Sequence, residues 1–341
     1  MRQLVKMGMA GSLALAAACG SAWAQGKTLE TVKARGSVIC GTNPGLPGFG
    51  APDDKGNYSG FDVDFCRAVA AAIFDDPKKV SFRPLSPKER LTAVQTGEVD
   101  LLARNTTWTM SRDVSLGVMF VGTTYVDGQG FMVRKTLGVK SAKELNGASV
   151  CVGTGSTTEL NLADYFRANA MTYKAVVFEN PDDVIAAYES GRCDAVTTDQ
   201  SGLFAQRLRL KAPDDHIVLP EIISKEPLAP AVRQGDDAWF SLVKWVYFAL
   251  INAEEMGVNQ KNVDEMAKST NPDVRRLLGV EGDFGKSIGL DNAWAVHIIK
   301  GVGNYGEIFE RNIGEGSRLK IARGLNQLWS KGGIQYAPPI R

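Results

Sequence analysis

The chain has 341 residues, enough for two domains of ordinary size, each with its own hydrophobic core. Apolar residues make up 44% of the sequence and charged residues 23%, a balance typical of globular proteins that excludes a disordered or fibrous chain. Lys and Arg number 39 and Asp and Glu number 38, so no strong net field is available to attract nucleic acid or anionic lipid.

The first 24 residues are predicted to be a secretory signal peptide. Arg2 and Lys6 give a basic start, an apolar run follows at 7–18, and Ala-Trp-Ala at 22–24 is a small-x-small cleavage site before Gln25. The apolar run is too short to span a bilayer. A buried N-terminal helix is the first alternative.

A lipoprotein acylated at Cys19 is the second alternative, but the three alanines before Cys19 match a Leu-led lipobox poorly. Removal of the signal leaves four cysteines: Cys40, Cys66, Cys151 and Cys193. In the oxidising compartment that export implies, four cysteines predict two disulfides, and four reduced buried thiols are the alternative.

From residue 38 onward, short apolar strands alternate with stretches of helical spacing. The first half is predicted to have strands at 38–42, 80–84 and 99–103 and helices at 61–74 and 88–96. The second half repeats the scheme, with strands at 149–153, 173–178 and 194–198 and helices at 158–169 and 182–190. This β-α-β-α-β order predicts two α/β lobes, each with a mainly parallel sheet flanked by helices.

One segment of the first half matches a segment of the second. Three pairs of residues are each 94 positions apart: Gly97 and Gly191, Asp100 and Asp194, and Asn105 and Asp199. The last pair would lie just beyond the carboxyl ends of parallel strands, where open α/β sheets bind ligands. Chance, or the ordinary punctuation of a helix, a glycine and a strand, is the alternative explanation.

Two stretches, 129–135 and 228–233, are predicted to join the halves as a two-stranded hinge. The expected domains are residues 25–132 for the first part of lobe 1, 133–230 for lobe 2 and 231–341 for the rest of lobe 1. After residue 236 the pattern is mainly helical, with helices expected at 239–255, 262–269, 294–312 and 319–329. We expect the tail from 258 to cover apolar residues of the first lobe, using Trp294, Ile298, Ile308 and Leu325, without lining the ligand cleft.

Several kinds of site are disfavoured by what the sequence lacks. Only His216 and His297 are present, which gives no His cluster for a metal and no His beside a nucleophile motif. The Gly-Thr-Gly-Ser run at 153–156 is too short to indicate a phosphate site. No cofactor is expected.

Polar runs follow the strands that end near 103 and 153. Arg112 has the bidentate geometry that binds a carboxylate, and Thr157, with Ser156 beside it, would present hydroxyl and helix-start N–H groups to the same carboxylate. Asp199 would bind an ammonium group, with Asn105 and Thr107 completing the hydrogen bonds. These groups suit a free amino acid, while simple helix capping is the alternative for the Ser and Thr residues.

At these residues the sequence resembles the family 3 solute-binding proteins of polar amino-acid ABC importers, over essentially the whole mature chain. A Gly-Phe-Asp-x-Asp helix start recurs at 60–64, and the family's Ser/Thr-rich loop ends in a carboxylate-binding arginine at Arg112. The resemblance places ligand contacts on Asn105 and Thr107, the carboxylate-binding threonine on Thr157 and the ammonium-binding aspartate on Asp199.

A narrower resemblance, to the general L-amino-acid binding subfamily, depends on the strings Arg-Asn-Thr-Thr-Trp-Thr at 104–109, Asp-Gly-Gln-Gly-Phe-Met-Val at 127–133 and Tyr-Ala-Pro-Pro-Ile-Arg at 336–341. Two features depart from the smaller family members. Leu46 stands near the position of their aromatic side-chain clamp, and residues 258–341 are additional.

The resemblance implies a two-lobed periplasmic binding protein fold of type II with a helical C-terminal extension. It implies a periplasmic protein that binds L-amino acids with broad specificity and delivers them to an inner-membrane ABC permease. An enzyme is the runner-up, because cyclohexadienyl dehydratases resemble this family, and Glu159 is its nearest candidate acid or base. A chemoreceptor sensor domain is disfavoured because no transmembrane segment follows.

Of the three possible disulfide pairings, Cys40–Cys66 with Cys151–Cys193 keeps each bond within one lobe. The other two pairings would tie lobe to lobe and hinder hinge motion. We therefore predict this pairing.

Overall fold

The computed structural model of the chain describes residues 27–341; the predicted signal peptide and Cys19 lie outside the described residues. Its fourteen strands between residues 27 and 341 are β1 Val38–Thr42, β2 Ala51–Pro52, β3 Tyr58–Ser59, β4 Val80–Pro84, β5 Leu101–Leu102, β6 Val118–Phe120, β7 Tyr125–Asp127, β8 Gln129–Arg134, β9 Ser149–Gly153, β10 Lys174–Phe178, β11 Ala195–Asp199, β12 His216–Val218, β13 Glu226–Leu228 and β14 Ala231–Arg233.

The α-helices of the same residues are α1 Lys27–Arg35, α2 Phe61–Phe74, α3 Arg90–Thr96, α4 Met110–Ser115, α5 Thr157–Ala168, α6 Pro181–Glu189, α7 Gln200–Arg207, α8 Asp237–Glu255, α9 Val263–Met266, α10 Pro272–Leu277, α11 Phe284–Ser287, α12 Trp294–Val302 and α13 Tyr305–Asn312. The helices predicted at 61–74, 88–96, 158–169, 182–190 and 239–255 are present, with ends that differ by at most two residues, and the one predicted at 262–269 is shorter. Helices α1, α4, α7, α10 and α11 were not predicted. None of the helices within residues 27–341 combines the length and apolar character that a bilayer crossing requires.

Two five-stranded sheets form two lobes. Their strand orders are β4-β1-β5-β14-β6 and β10-β9-β11-β8-β12. In each sheet the three strands of the β-α-β-α-β unit are parallel, as predicted, and the other two strands pair antiparallel. The antiparallel strands lie next to the crossings between lobes, where the chain enters a sheet from the opposite direction.

Side chains alternate between two buried faces in the second sheet. Phe131 and Val133 pack in one core, together with α5, while Met132 packs in the other, against α6 and α7. Strands buried on both faces are expected to read as continuous apolar runs, which is how these segments read in the sequence.

The internal match between the halves has a structural cause. Gly97 and Gly191 both have positive φ, 78° and 83°, and each follows the end of a helix. Asp100 then accepts a hydrogen bond from the N–H of Ile39 at 2.7 Å, and Asp194 accepts one from the N–H of Ser149 at 2.8 Å. In both lobes, therefore, the matched aspartate ties the third strand of the unit to the beginning of the first.

The crossings lie a few residues away from the expected hinge. The strand β8 belongs wholly to the second sheet and β14 to the first, so neither expected stretch, 129–135 or 228–233, is itself the connection. The antiparallel pair β7 and β13 connects the lobes instead. The second lobe therefore begins after β7 and ends before β13, and not at 133 and 230 as expected.

Both predicted disulfides are present. Cys40–Cys66 joins β1 to α2, and Cys151–Cys193 joins β9 to the turn before β11. Each bond lies within one lobe, and neither restrains the lobes relative to each other.

The C-terminal extension packs on the first lobe, as predicted. Trp294, Ile298 and Ile308 are buried in one core with residues of α2 and α8. Leu325 does not share this role, because it is 54% exposed. Within the described chain, no residue after Gln206 lines the cleft, so the extension takes no part in it.

Two helix predictions in the extension were wrong in detail. The helix expected at 294–312 is broken at Gly303, because Asn304 and Glu307 form a capping box that begins a new helix. The α-helix expected at 319–329 does not form in the described structure, which has only short 3-10 helices there, at Gly324–Asn326 and Trp329–Lys331. There, Arg323 pairs with Glu254, and these tertiary contacts replace helical hydrogen bonds.

In the same segment, the side chain of Asn326 binds both backbone groups of Val126 in β7. It accepts a hydrogen bond from the N–H at 2.7 Å and donates one to the carbonyl at 3.1 Å. The extension is thereby tied to the first crossing between the lobes.

Replacing Ile298 with Ala should lower the free energy of unfolding by about 2–5 kcal/mol, because a fully buried side chain between α12 and α2 is truncated. The control is Leu325→Ala, at an exposed position of the same extension, which we expect to change stability by about 0.5 kcal/mol or less. Denaturant unfolding of both variants gives the measurement. Equal effects would show that the extension does not share the core of the first lobe.

Candidate functional site

The cleft between the lobes is lined by polar residues at strand ends and by an aliphatic wall. The polar and small lining residues are Asn43, Arg90, Arg104, Asn105, Thr107, Gly153, Ser156, Thr157, Thr158, Thr197, Thr198, Asp199, Gly202 and Gln206. The apolar lining residues are Leu46, Pro87, Pro181, Val184, Ile185 and Val196. Both sheets point their carboxyl ends at this cleft, the usual position of ligand sites in open α/β folds.

Five of the six predicted ligand residues line the cleft: Asn105, Thr107, Ser156, Thr157 and Asp199. The sixth, Arg112, is not among the lining residues and lies behind the loop that carries Thr107. Its Nη1 donates a hydrogen bond to the carbonyl of Thr107 at 2.9 Å. Burial lowers the pKa of this guanidinium, while the nearby carboxylates of Glu226 and Asp199 favour its charged form.

Asn105 is at the centre of the contact between lobes. Its φ is 35°, in the left-handed region that asparagine tolerates better than most residues. Its Nδ2 donates to Oδ2 of Asp199 at 3.3 Å, and its Oδ1 accepts from Asn43 at 2.9 Å. The two residues that the internal match placed 94 positions apart are therefore hydrogen-bonded across the cleft.

Asp199 stands at the end of β11 and directly before α7. It occupies the N-cap position, but its side chain makes no capping hydrogen bond there and is directed instead to Asn105. Burial raises its pKa well above the ordinary value, and the carboxylates of Asp127 and Glu226 raise it further. A cation placed beside Asp199 would stabilise the ionised carboxylate and so oppose both of these effects on its pKa.

Ser156 and Thr157 begin α5 and differ in role. The Oγ of Ser156 accepts a hydrogen bond from the N–H of Glu159 at 3.1 Å, so Ser156 is the N-cap of the helix. Thr157 turns its hydroxyl toward the other lobe, 3.2 Å from the hydroxyl of Thr107. The first N–H groups of a helix have no intrahelical acceptor, and here they lie at the cleft.

Glu226, which sequence reasoning missed, links the two lobes from the crossing strand β13. It is 1% exposed, and its carboxylate accepts hydrogen bonds from Thr107 of the first lobe and from Thr157, at 2.9 Å, and Asn161, at 2.7 Å, of the second. Ser224 donates to it at 2.6 Å. Nothing in the pattern around Lys-Glu-Pro at 225–227 distinguishes this glutamate from an exposed loop acid.

Two buried arginines of the first lobe were also missed as site residues. Arg104 was recognised only as part of a string, and Arg90 was assigned no role within the helix predicted at 88–96. Arg104 donates to the carbonyl of Leu85 at 2.8 Å, and its charge is favoured by nearby Asp62. Burial lowers the pKa of Arg104 to about 10.

Asp62 lies in the first turn of α2, where an acid interacts favourably with the helix dipole. It has a further role, because its Oδ2 accepts the N–H of Asn105 at 2.7 Å. Burial raises the pKa of this carboxyl to about 6. Asp62 therefore supports the loop that carries Asn105 from behind.

The lobes are closed on each other in this structure. Besides the contacts around Asn105 and Thr107, Lys88 pairs with Glu179 at 2.6 Å, and Arg209 donates to the carbonyl of Gly45 at 2.9 Å. Both contacts join one lobe to the other at the rim of the cleft. The site is thus formed by two surfaces that meet.

The arrangement suits a small molecule that carries both charges. Buried guanidinium groups come from the first lobe, and a buried carboxylate comes from the second. Within residues 27–341, no three His, Cys, Asp or Glu side chains are grouped as metal ligands would be. A ligand with a carboxylate and an ammonium would pair with both lobes at once.

Comparison with known proteins gives a family match. Residues 38–262 match the model of the bacterial extracellular solute-binding proteins, family 3. The general L-amino acid-binding periplasmic protein AapJ of Rhizobium johnstonii is 65% identical over 326 residues, which cover 95% of this chain and 96% of AapJ.

Two further similarities extend over nearly the whole chain. The glutamate/glutamine/aspartate/asparagine-binding protein BztA of Rhodobacter capsulatus is 55% identical, over 97% of this chain and 98% of BztA. A solved structure of an ABC transporter periplasmic binding protein from Brucella ovis, with glutathione bound, is 63% identical and superposes with a TM-score of 0.91. That match covers 92% of this chain and 99% of the Brucella chain.

Replacing Glu226 with Gln should lower the free energy of unfolding of the ligand-free protein by about 1–3 kcal/mol, because hydrogen bonds to a buried charged acceptor are replaced by weaker neutral ones. The matched control is Glu98→Gln, which removes a half-exposed carboxylate paired with Arg83 on the surface of the same protein. Thermal and denaturant unfolding measure both variants. A variant at position 226 as stable as the control would mean that Glu226 does not hold the lobes together.

Proposed function

The chain belongs to family 3 of the bacterial extracellular solute-binding proteins, and from this premise we propose how it binds its ligands. It is the substrate-binding component of an amino-acid ABC importer, with broad specificity for free L-amino acids. The observation that carries the proposal is the meeting, in one cleft, of buried guanidinium groups from one lobe and the buried Asp199 carboxylate from the other.

We assign the ligand carboxylate to Arg112 and to the start of α5. Among residues 27–341, Thr107 is the one hydrogen-bond acceptor of the Arg112 guanidinium, which leaves further N–H groups for a ligand. We propose that this side chain turns toward the cleft, so that these N–H groups reach the carboxylate. Thr157 would contribute its N–H from the second lobe, where the helix terminus favours an anion.

We assign the ligand ammonium to Asp199, with Asn105 and Thr107 beside it. Thr107 donates its hydroxyl proton to Glu226, so its oxygen is left with lone pairs that can accept from an ammonium. An ammonium at this point would also compensate the repulsion that Asp127 and Glu226 exert on Asp199.

Broad specificity is supported by the wall that would face the ligand side chain. Leu46, Pro87, Val184 and Ile185 are aliphatic, and no aromatic ring is among the residues of the described chain that line the cleft. Aliphatic contacts are non-directional and tolerate side chains of different shape. Binding free energy would then come mainly from the groups that all amino acids share.

The ligand would be trapped by closure about β7 and β13. In an open form, the contacts of Asn105 with Asp199 and of Thr107 with Thr157 would be broken, and a ligand that bridges the lobes would restore the closed state. We propose that the closed form docks on an inner-membrane permease. We also propose that residues 1–24 direct export to the periplasm and are removed.

We do not propose that the protein converts its ligand chemically. Glu159, the nearest candidate acid for a dehydratase, accepts hydrogen bonds from the hydroxyl of Thr154 at 3.1 Å and the N–H of Gly155 at 2.9 Å. It is not among the residues that line the cleft. Its role is that of an acid in the first turn of α5.

Arg112→Ala and Asp199→Ala should each weaken binding of many different L-amino acids to a similar extent. Each removes a partner of a group common to all of them and leaves the opposite ligand charge unpaired, at a cost of roughly 2–5 kcal/mol. At 1.4 kcal/mol for each tenfold, affinity should fall by a factor on the order of 30 or more. Isothermal calorimetry with aspartate, glutamine, leucine and alanine is the measurement.

The control variants are Arg167→Ala and Asp164→Ala, which break an exposed ion pair on α5. These should fold and bind as the unmodified protein does. Unchanged affinity in a folded Arg112→Ala or Asp199→Ala variant would place the ligand elsewhere.

Ligand affinity should rise with pH through the acidic range and then level off. In the empty protein the pKa of Asp199 is raised by burial and by Asp127 and Glu226, whereas Arg90 lowers it. A bound ammonium favours the ionised carboxylate, so binding releases a proton wherever Asp199 is protonated before binding. Below that pKa, affinity is lost as pH falls.

Calorimetry in buffers of different ionisation enthalpy measures the protons released. Asp127→Asn should shift the loss of affinity to lower pH, because the neighbouring charge that raises the pKa of Asp199 is removed. Affinity that is independent of pH, with no proton exchange in acid, would contradict the assignment of the ammonium to Asp199.

A further inference from the structure

Four large apolar side chains near the end of the C-terminal extension face outward. They are Leu325, Trp329, Ile334 and Tyr336, and their exposed fractions lie between 51% and 63%. We call these four residues the terminal patch. The apolar face of α12, earlier in the same extension, is by contrast buried. An exposed apolar cluster of this kind usually marks an interaction surface.

The terminal patch is one continuous surface. The N–H of Ile334 donates to the carbonyl of Leu325 at 3.0 Å, which places these two residues side by side. The rings of Trp329 and Tyr336 meet edge to face, with centroids 5.6 Å apart. Gln335 is buried between Ile334 and Tyr336, so the side chains on either side of it point outward together.

The segment that carries the terminal patch is held firmly from behind. Gln335 accepts a hydrogen bond from the hydroxyl of Tyr247 at 2.5 Å and donates one to the carbonyl of Thr123 at 3.3 Å. The indole N–H of Trp329 donates to Glu255 at 3.0 Å. The four side chains are therefore exposed on an ordered surface, and little conformational entropy is lost when a partner covers them.

The near-neutral charge of the whole chain hides an uneven distribution at its end. Residues 316–341 contain no acidic residue and five basic ones, namely Arg318, Lys320, Arg323, Lys331 and Arg341. Arg323 pairs with Glu254, and Arg341 lies 3.6 Å from Asp273. Among residues 27–341, no carboxylate forms an ion pair with the other three. Lys331 lies in the turn between Trp329 and Ile334, so a free positive charge accompanies the terminal patch.

This combination fits a lipid surface better than a second protein. Tryptophan and tyrosine, with basic residues beside them, are the residues that proteins place at the interface between membrane and water. A stable protein–protein interface takes about 20–30 residues from each partner. Attachment to a bilayer needs only a few apolar side chains, together with basic groups that attract anionic headgroups.

We propose that the terminal patch attaches the protein peripherally to an anionic phospholipid bilayer. Trp329, Ile334, Tyr336 and Leu325 enter the headgroup region, and Lys331 pairs with lipid phosphate. The inference goes beyond the proposed function, because it gives the extension a role of its own. A binding protein held at the membrane surface reaches its importer by diffusion in two dimensions.

The test is binding to lipid vesicles, measured by cosedimentation with protein purified after export, so that an apolar leader does not contribute. The vesicles contain phosphatidylglycerol and phosphatidylcholine in equal parts, or phosphatidylcholine alone. We expect binding to the anionic vesicles at low ionic strength to be at least tenfold tighter than to the neutral ones. Added salt should reduce this difference, because it screens the attraction of Lys331 to the headgroups.

Two variants test the surface itself. The double variant Trp329→Ser with Ile334→Ser should weaken binding to anionic vesicles at least tenfold, and Lys331→Glu should weaken it at least fivefold. The matched controls are Val177→Ser, at a half-exposed position of the second lobe, and Lys55→Glu, in an exposed turn of the first. Both controls should bind vesicles as the unmodified protein does.

The proposal is overturned if the anionic vesicles are not bound, if neutral vesicles are bound equally well, or if the patch variants bind as the controls do. A dimer that forms without vesicles and is lost in the double variant, with no vesicle binding, would assign the patch to a second copy of the chain and overturn the proposal as well. Calorimetry with L-amino acids should give the same affinities for the patch variants and the unmodified protein. Failure of the proposed function would appear in that calorimetry alone, and vesicle binding would be unaffected by it.

Discussion

The carboxylate of Asp199 is buried at the junction of two lobes, within the influence of Asp127 and Glu226. Three acids in one buried region are tolerable only if cations and hydrogen-bond donors surround them. The first lobe meets this requirement with the amide of Asn105 and with its buried arginines. The loops that carry these residues are arranged around the three acids. The position of the cleft, the closed contact of the lobes and the character of the ligand all depend on it.

The closed contact of the lobes is stabilised by the protein's own groups. The hydroxyls of Thr107 and Thr157 both donate to Glu226, so one carboxylate in the crossing strand draws the two lobes together. A ligand therefore does not need to supply all of the free energy of closure. In the proposed binding mode it adds contacts at Asp199 and Arg112, and those contacts would involve groups common to every amino acid.

Much of the fold followed from the sequence because apolar periodicity reports directly on backbone structure. The strand at 38–42 and the helix at 61–74 were located to the residue. Candidate site residues at or shortly beyond a strand end, such as Asp199 and Asn105, were placed at the cleft for the same reason, since a strand end in an open sheet has a known position relative to the cleft.

Glu226 and Arg90 were not found, because each is surrounded by a sequence typical of solvent-exposed charge. Whether such a side chain turns inward depends on the opposite lobe, which local periodicity does not describe. The false helix at 319–329 has a similar cause. The buried ion pair of Arg323 with Glu254 fixes that segment through a residue distant in sequence.

The extension also has a mechanical effect on the hinge. Asn326 binds the N–H and the carbonyl of Val126, so one residue of β7 is held at both its backbone groups by the first lobe. Just upstream, Tyr305 donates to the carbonyl of Thr124 at 2.8 Å and so fixes the approach to the crossing as well. We expect this anchoring to restrict torsional freedom in the connection to the residues after Val126. The extension would then act as a splint, and a hinge motion of the second lobe would follow a narrower arc than two unsupported strands permit.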